Sequence, residues 1–327
     1  MLTRILSQPS THVATSSRRN ILGTYLSIIA IVVVAYLVIT NLRGDQGLIA
    51  ILIAIWAVAL TGLNVVQGLG GYPSLAQAAF FGIGAYASSI LLSWDWPFWA
   101  AAATGVAAAA AVGALVALVF SRTRGQYFAI GTLFFGAVCT LVFTNETALT
   151  GGPRGIPVGL GMPLPAVLLT IAVSLGVGLV AFDLIGRSTF GRRLKAISTD
   201  EDLAEHLGVP TARVKAAAVI VSALFGGWAG VLLAQYNGII APSQFTFVQG
   251  FLMLVAIGIG GYGRLFTPLV GAIIVVGLSQ LLKLQPGISQ IALGVIFILI
   301  TLAVPGGLIG AFERIAARLS GRKGRAS

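Results

Sequence analysis

Side chains that could carry out chemistry are few in this sequence, and they are scattered. The two histidines, His12 and His206, lie in polar segments and belong to no group of Cys, His and carboxylate residues with metal-ligand spacing. Cys139 is the only cysteine and lies in an apolar run, so it cannot form a disulfide within the chain. No GxxxxGK[ST] phosphate loop occurs, so we do not expect this chain to hydrolyse ATP. The residues predict a non-catalytic protein without a cofactor or a metal ion.

Ionisable residues are also scarce inside the apolar runs. Asp183 lies near the end of one run, where an interface role fits better than proton relay. Carriers driven by protons usually place ionisable side chains deep within their membrane spans. A standalone secondary transporter or channel is therefore a weaker alternative, and a membrane enzyme lacks the polar cluster that catalysis needs.

Composition identifies the environment that these residues occupy. The chain has 327 residues, of which 57% are hydrophobic and 9% are charged. A soluble domain carries roughly 25% charged residues, so a lipid-facing surface explains the deficit. The net charge of +11 is distributed between apolar runs rather than on one soluble face, so it predicts membrane topology and no nucleic-acid partner.

Apolar runs long enough to cross a bilayer predict an all-α integral membrane protein with about ten transmembrane helices. The predicted spans lie near residues 21–40, 47–66, 75–93, 97–120, 126–144, 165–185, 213–235, 247–261, 267–283 and 288–305. With the N-terminus inside, 17 of the 20 basic residues lie on the cytoplasmic side, leaving Arg43, Arg154 and Lys283 outside. This asymmetry follows the positive-inside rule and predicts that both termini are cytoplasmic.

The span positions give a simple organisation. Residues 1–20 form a predicted cytosolic tail, residues 21–305 the transmembrane domain, and residues 306–327 a basic cytosolic tail. The first apolar run is about 19 residues long, beyond a signal-peptide core of 7–15 residues, and no A-x-A site follows it. We therefore expect an uncleaved first span.

A polar, Gly- and Pro-rich stretch joins the second and third spans at residues 62–77. Irregular backbone at membrane depth must be buried in protein or line a cavity. One interpretation is a broken segment beside a substrate path, lined by Asn64, Gln67, Ser74 and Gln77; the other is a cytoplasmic turn with solvated amides. Ser74, after Pro73, is expected to cap the helix that follows.

Two further polar segments connect spans. The predicted outer loop 145–157 contains Gly151, Gly152 and Arg154, and is either a docking surface for an external partner or a plain connector. The predicted inner segment 187–212 contains a short amphipathic helix whose first turn is acidic, with Ser198 or Thr199 as its cap. Ala204 and Leu207 recur in it at near-helical spacing, and Gly208 followed by Pro210 is expected to end it. It either docks onto a soluble subunit or lies on lipid headgroups, and its acidic cluster argues against the lipid surface.

Four ordered stretches within residues 62–272 resemble motifs of the branched-chain amino-acid ABC permeases (Liv type), with the order of the M-like subunit. They are 71–86 (GYPSLAQAAFFGIGAY), 150–152 with 155–157 (TGG and GIP), 191–197 (GRRLKAI) with Glu201, Ala204, Gly208 and Lys215, and 260–272 (GGYGRLFTPLVGA). Ala76, Arg264 and Thr267 depart from the family's usual residues. The known relatives also carry urea, amides and other small solutes, so these substrates stay alternatives.

The resemblance implies an ABC-importer permease fold in the bacterial inner membrane. It implies a heterodimer with a second permease subunit, two cytosolic ATP-binding subunits, and a periplasmic or extracellular solute-binding protein. It assigns ATPase coupling to the segment that contains Arg192, Arg193, Glu201, Ala204, Gly208 and Lys215. It also assigns Gly151 and Gly152 to the family's external loop.

Overall fold

A computed structural model describes residues 11–41, 45–159 and 161–281, with isolated positions at 294–295 and 309. The helices within these residues are α1 (Thr11–Asn41), α2 (Asp45–Leu63), α3 (Gln77–Ser93), α4 (Phe98–Phe120), α5 (Gln126–Asn145), α6 (Thr147–Thr150), α7 (Leu164–Arg187), α8 (Thr189–Thr199), α9 (Glu201–His206), α10 (Thr211–Asn237), α11 (Phe247–Gly260) and α12 (Thr267–Leu281). The strands are β1 (Ile156–Pro157) and β2 (Ile239–Ile240). A π-helical turn, Asn64–Leu69, continues α2, and 3-10 turns occupy Gly152–Arg154 and Pro242–Phe245.

Six helical segments of the described chain are long and apolar enough to cross a bilayer: Gly23–Asn41, Gln46–Leu69, Phe98–Phe120, Gln126–Asn145, Leu164–Arg187 and Thr211–Asn237. The helices α3, α11 and α12 are apolar but shorter, and they coincide with the predicted third, eighth and ninth spans. Apart from the isolated positions 294–295 and 309, the tenth predicted span and the tail 306–327 lie outside the described residues. The structure therefore supports a multi-pass helical membrane protein, and the total of ten stays a prediction.

Helix ends follow local backbone chemistry. Pro97 and Pro163 adopt extended conformations immediately before α4 and α7, where proline cannot continue a preceding helix. Gly238 ends α10 with a left-handed φ of 66°. The first helix begins at Thr11, ten residues before the predicted span, so it extends into the predicted tail 1–20.

The centre of the bundle is the long helix α10, which packs against α2, α3 and α4. Small residues allow its backbone to approach α3 very closely. A Cβ atom on Gly230 would overlap the carbonyl oxygen of Phe81, and one on Gly84 would overlap that of Gly227. This is the small-residue helix contact that membrane proteins use where apolar burial gives no driving force.

The two ends of this bundle are distinct. One end, which we call the α9 end, contains α8, α9 and the start of α10; the other, the β end, contains the end of α10 and the antiparallel pair β1–β2. Aromatic side chains are exposed at both ends, with Trp94, Trp96 and Trp99 near the β end and Tyr127 near the α9 end. Exposed Trp and Tyr at two levels are typical of membrane–water interfaces.

Candidate functional site

The predicted inner segment folds as two helices rather than one. Ser188 caps α8, because its Oγ accepts a hydrogen bond from the backbone N–H of Gly191 at 3.1 Å. Asp200 caps α9, because its Oδ1 accepts from the N–H of Leu203 at 3.0 Å. The predicted caps Ser198 and Thr199 were wrong: both hydroxyls donate back to the Lys195 carbonyl oxygen inside α8.

Gly208 and Pro210 were predicted to end α9, and the structure confirms this prediction. Gly208 has a left-handed φ of 82°, and its N–H donates to the carbonyl oxygen of Glu205 at 2.9 Å. Pro210 then precedes α10. Residues 188–209, which we call the α8–α9 segment, therefore form two short helices with a sharp turn between them.

Lys215, in the first turns of α10, is the residue around which this end of the bundle is organised. Its side chain is 1% exposed, and Nζ donates to Glu201 Oε1 at 2.8 Å and to the carbonyl oxygen of Thr123 at 2.7 Å. The ammonium also lies 5.6 Å from the centroid of the Tyr72 ring. A buried ammonium needs such partners, because desolvating an unpaired charge costs several kcal/mol. Lys215 thus fixes α9 to α10 and to the loop between α4 and α5.

A second ion pair fixes the same helix from the solvent side. Arg124, in the α4–α5 loop, donates to Asp202 and, at 2.7 Å, to Glu205 Oε2. These side chains are more than half exposed, so each pair adds at most about 1 kcal/mol. The acidic cluster therefore pairs with basic residues of its own chain.

The predicted coupling residues divide into an inner and an outer set. Leu194 and Ala204 anchor the segment to the bundle, and Glu201 and Lys215 form the inner ion pair. Exposed residues on the outer side are Arg192, Arg193, Leu203, Leu207 and Gly208. Leu207 was predicted to share the apolar face of Ala204, but it is 76% exposed.

The polar stretch after the second span is mostly buried, and we call residues 64–76 the elbow. Asn64 is fully buried inside the π-helical turn; its Nδ2 donates to the Arg264 carbonyl oxygen at 2.9 Å, and its Oδ1 accepts from the Gly263 N–H at 3.1 Å. The amide of Asn64 therefore connects the elbow to the loop between α11 and α12. A cytoplasmic turn with solvated amides, the second interpretation of this stretch, is wrong.

Gln77 forms an equally closed set of hydrogen bonds at the start of α3. Its Nε2 donates to the carbonyl oxygen of Ala59 at 2.7 Å, and its Oε1 accepts from the Ser222 hydroxyl at 2.6 Å. These bonds join α3 to α2 and α10. Ser74 is buried but does not cap α3, whose preceding residue is Ala76 and which has no side-chain cap.

The elbow also contacts the α8–α9 segment. A Cβ on Gly71, whose φ is 77°, would lie 2.7 Å from the Cβ of Ser198. The Tyr72 ring packs edge-on against Phe128 at 5.2 Å and faces Lys215. Burial raises the pKa of the Tyr72 phenol, and the nearby Glu201 carboxylate raises it further. The elbow is therefore a second contact, beside the Lys215–Glu201 pair, between the α8–α9 segment and the spanning helices.

Comparison with known proteins gives the same family as the sequence motifs. The profile of the family described as "Branched-chain amino acid transport system / permease component" matches residues 45–304. The chain belongs to this permease family. The high-affinity branched-chain amino acid transport system permease protein LivM of Escherichia coli is 31% identical, over 80% of this chain and 69% of the relative. LivM of Salmonella typhimurium is 30% identical with the same coverage, and LivH of Escherichia coli is 25% identical over 78% of this chain and 91% of the relative. No solved structure matches the chain significantly.

The glycines of the predicted outer loop are structural in this permease. Gly151 and Gly152 have left-handed φ values of 70° and 57°, and a Cβ on Gly155 would overlap the carbonyl oxygen of Ile240. The loop is held against the α10–α11 connection by the pairing of β1 with β2. Arg154, in contrast, is exposed. Of the three residues predicted to face a binding protein, Arg154 is the one whose side chain is available for contact.

Sequence reasoning missed three participants in this region. Each lies on another element than its partner: 78 positions separate Arg124 from Asp202, and 145 separate Ser222 from Gln77. Tyr72 lies 143 positions before Lys215. A polar residue in the apolar run of α10 was the only available signal for Ser222. No local pattern indicated that Tyr72 or Arg124 would meet α9 or Lys215.

Proposed function

We propose that this permease forms the transmembrane path of an ATP-driven importer for branched-chain and other hydrophobic amino acids. Separate cytosolic subunits hydrolyse ATP, and the α8–α9 segment receives their motion. The substrate is proposed by analogy with the named relatives, which belong to branched-chain amino acid transport systems. The scarcity of charged residues in the spanning helices suits a solute whose side chain is apolar.

The observation that carries this proposal is the division of α9 into two faces. Its inner face is fixed by the Lys215–Glu201 ion pair and by buried Ala204. Its outer face exposes Leu203 at 55% and Leu207 at 76%. Two adjacent exposed leucines beyond the spanning helices indicate a protein contact surface, which we call the α9 docking face. A rigid attachment behind an apolar face is what a helix needs to transmit force from a bound ATPase.

The remaining assignments follow from this surface. The α9 end is cytoplasmic, as are both termini, and the membrane is the bacterial inner membrane. Arg192 and Arg193 flank the docking face, while Gly208 ends α9 beside it. A second permease completes a heterodimer, two ATP-binding subunits contact the cytoplasmic side, and a solute-binding protein contacts the β end through the loop that contains Arg154. Residues 1–20 and 306–327 lie on the cytoplasmic side in this arrangement.

Purification of the tagged permease from its native membranes tests the docking face. We expect an ATPase with a phosphate loop to co-purify with the natural chain and to be lost with Leu207→Glu. Leu149→Glu is the matched control, because Leu149 is 55% exposed and lies near the β end. This control is expected to insert and to retain the ATPase.

Retention of the ATPase by Leu207→Glu, or its loss in both variants, would overturn the docking assignment. Glu201→Arg is a poor substitute for Leu207→Glu, because it would place a second cation against buried Lys215 and disturb the fold.

A further inference from the structure

A cleft at the β end differs in character from the polar elbow. Its volume is about 390 Å³, within the range of small-molecule sites. It lies between α2, α3, α10, α11 and α12, beside the turn Pro242–Phe245. Lys215 and Asn237, which stand at opposite ends of α10, are 22 residues apart, and at 1.5 Å per residue this is roughly 33 Å. The cleft, which Asn237 lines, is therefore separated from the α9 docking face by about the thickness of a membrane.

The polar side of this cleft contains hydrogen-bonding groups that the described chain leaves unused. The Oε1 atoms of Gln244 and Gln249 are buried and have no hydrogen-bond partner within the described residues. An unmade hydrogen bond of this kind costs roughly 1–3 kcal/mol, so native proteins seldom leave two together without a reason. The amides of Asn64 and Gln77, which were predicted to line the path, are occupied by the protein's own backbone and side chains. Gln67, the third amide predicted there, has a buried Oε1 without a partner in the described chain, but it lies in the elbow and not in this cleft.

The opposite side of the cleft is apolar. Leu52, Trp56, Phe81, Leu233, Leu252 and Val276 line it. Phe81 stands one helical turn after Gln77, and its backbone makes the close α3–α10 contact at Gly230, so this side of the cleft is built on two closely packed helices.

Among the described residues that line the cleft, none is ionisable. A solute with net charge would lose hydration without gaining a counter-ion there. A zwitterion is different, because amide dipoles can accept from its ammonium group and donate to its carboxylate group. The chemistry therefore selects a small zwitterion with an apolar side chain over an anion or a cation.

We propose that this cleft is the outward-facing solute site of the permease. Gln244 and Gln249 hold the charged groups of an aliphatic amino acid, and the side chain of the solute lies against Phe81 and Trp56. This inference rests on the proposed importer function and adds a binding site to it. Solute received at the β end would then be released through rearrangement of the elbow, which contacts the α8–α9 segment.

The test uses the complete transporter, with its second permease, ATPase subunits and binding protein, and L-photo-leucine as the probe. After irradiation, we expect mass spectrometry to find adducts in peptides that contain Leu52 and Trp56 or Gln249 and Leu252. Excess L-leucine should compete with the probe. The double variant Gln244→Leu/Gln249→Leu is expected to reduce labelling, and ATP-dependent L-leucine uptake, at least tenfold. Gln46→Leu, an exposed glutamine at the same end of α2, is the matched control and should behave as the natural chain.

The outcomes separate the two proposals. Uptake of L-leucine with labelling elsewhere, or with no effect of the double variant, overturns the cleft while leaving the importer intact. Labelling of the cleft without ATP-dependent uptake supports the site and overturns the importer function. If the double variant fails to assemble, the second permease is lost from the purified complex.

The single variants Gln244→Asn and Gln249→Asn then test the cleft, since each keeps an amide but shortens its reach. Reduced labelling in these variants supports the cleft, and unchanged labelling overturns it.

Discussion

Lys215 Nζ lies 2.8 Å from Glu201 Oε1, on the buried side of α9, opposite the α9 docking face. The pair joins two elements that the sequence had placed in one coupling region, but it directs both residues inward. The outward surface carries the exposed Leu203 and Leu207, beside the exposed carboxylates of Asp202 and Glu205 that pair with Arg124. Force applied to α9 would therefore reach α10 through an ion pair and reach the elbow through Tyr72.

The first prediction concerns this ion pair. Lys215→Met leaves the Glu201 carboxylate without its ammonium partner, which costs 3–5 kcal/mol for a fully buried pair. Because the Glu201 side chain is 22% exposed, we expect a loss of about 2 kcal/mol in the free energy of unfolding. Thermal unfolding of the purified complex measures it. Lys195→Met, at an exposed position on α8, is the control and should change stability by less than about 0.5 kcal/mol. Equal effects of both variants would contradict a structural role for Lys215.

The second prediction concerns the hydrogen bonds of Gln77. Gln77→Leu leaves the Ser222 hydroxyl and the Ala59 carbonyl oxygen buried without their partner. We expect destabilisation by about 2 kcal/mol. Gln126→Leu removes an exposed amide from the start of α5 and serves as the comparison. A double variant with Ser222→Ala should be no worse than Gln77→Leu alone, since the two residues share one interaction. Additive losses would show that they act independently.

The third prediction concerns the contact between α3 and α10. Gly230→Ala would place a methyl group against the Phe81 carbonyl oxygen, so the two backbones must separate. We expect a loss of about 3 kcal/mol, or failure to accumulate in the membrane. Gly186→Ala, a helical glycine with open space around it, should be neutral or stabilise by up to about 1 kcal/mol. Membrane accumulation and thermal unfolding of both variants are the measurements, and a tolerated Gly230→Ala would contradict the close approach.

The fourth prediction concerns Tyr72. Its hydroxyl is buried and has no hydrogen-bond partner within the described residues, whereas its ring faces Lys215. Tyr72→Phe keeps the ring and removes the unsatisfied hydroxyl, so stability should be unchanged or slightly higher. Tyr72→Leu removes the ring and should cost about 1 kcal/mol or more.

Tyr72 gives the free energy of unfolding a pH dependence whose sign can be stated. Burial raises the pKa of its phenol above the ordinary value of 10.0, so the folded chain keeps the proton longer than the unfolded chain. Stability from this group is therefore constant below pH 10 and declines above it. The difference in unfolding temperature between the natural chain and Tyr72→Phe should be flat from pH 7 to pH 9 and change only in alkali. A difference in unfolding temperature that changes with pH near neutrality would contradict a raised phenol pKa in the folded chain.

Much of this organisation was predictable from the sequence, because it depends on local patterns. Long apolar runs predicted the spanning helices, and Gly208 with Pro210 predicted the end of α9. The caps were missed because Asp200 and the hydroxyls of Ser198 and Thr199 are all competent, and only the break between α8 and α9 decides among them. The number of helices in the inner segment was missed for the same reason.

The site was harder to predict, because its contacts are distant in sequence. Polarity at membrane depth correctly marked Asn64 and Gln77 as unusual. Their bonding could not be read from the chain, since Gln77 meets Ser222 across 145 positions and Asn64 meets Gly263 across 199. The amides of Asn64 and Gln77, which were predicted to line a substrate path, connect helices to one another, whereas the buried Oε1 of Gln67 has no partner in the described chain.

Reconstituted uptake of L-leucine tests the central claim most directly. Proteoliposomes that contain the permease, its second permease, the ATP-binding subunits and the binding protein should accumulate radiolabelled L-leucine with ATP and not with ADP. The Leu207→Glu variant should lose that uptake, whereas Leu207→Met, which keeps an apolar side chain at the same position, should retain it. Leucine uptake by the permease alone without ATP, or full ATP-dependent uptake by Leu207→Glu, would contradict a permease driven through α9 by a separate ATPase.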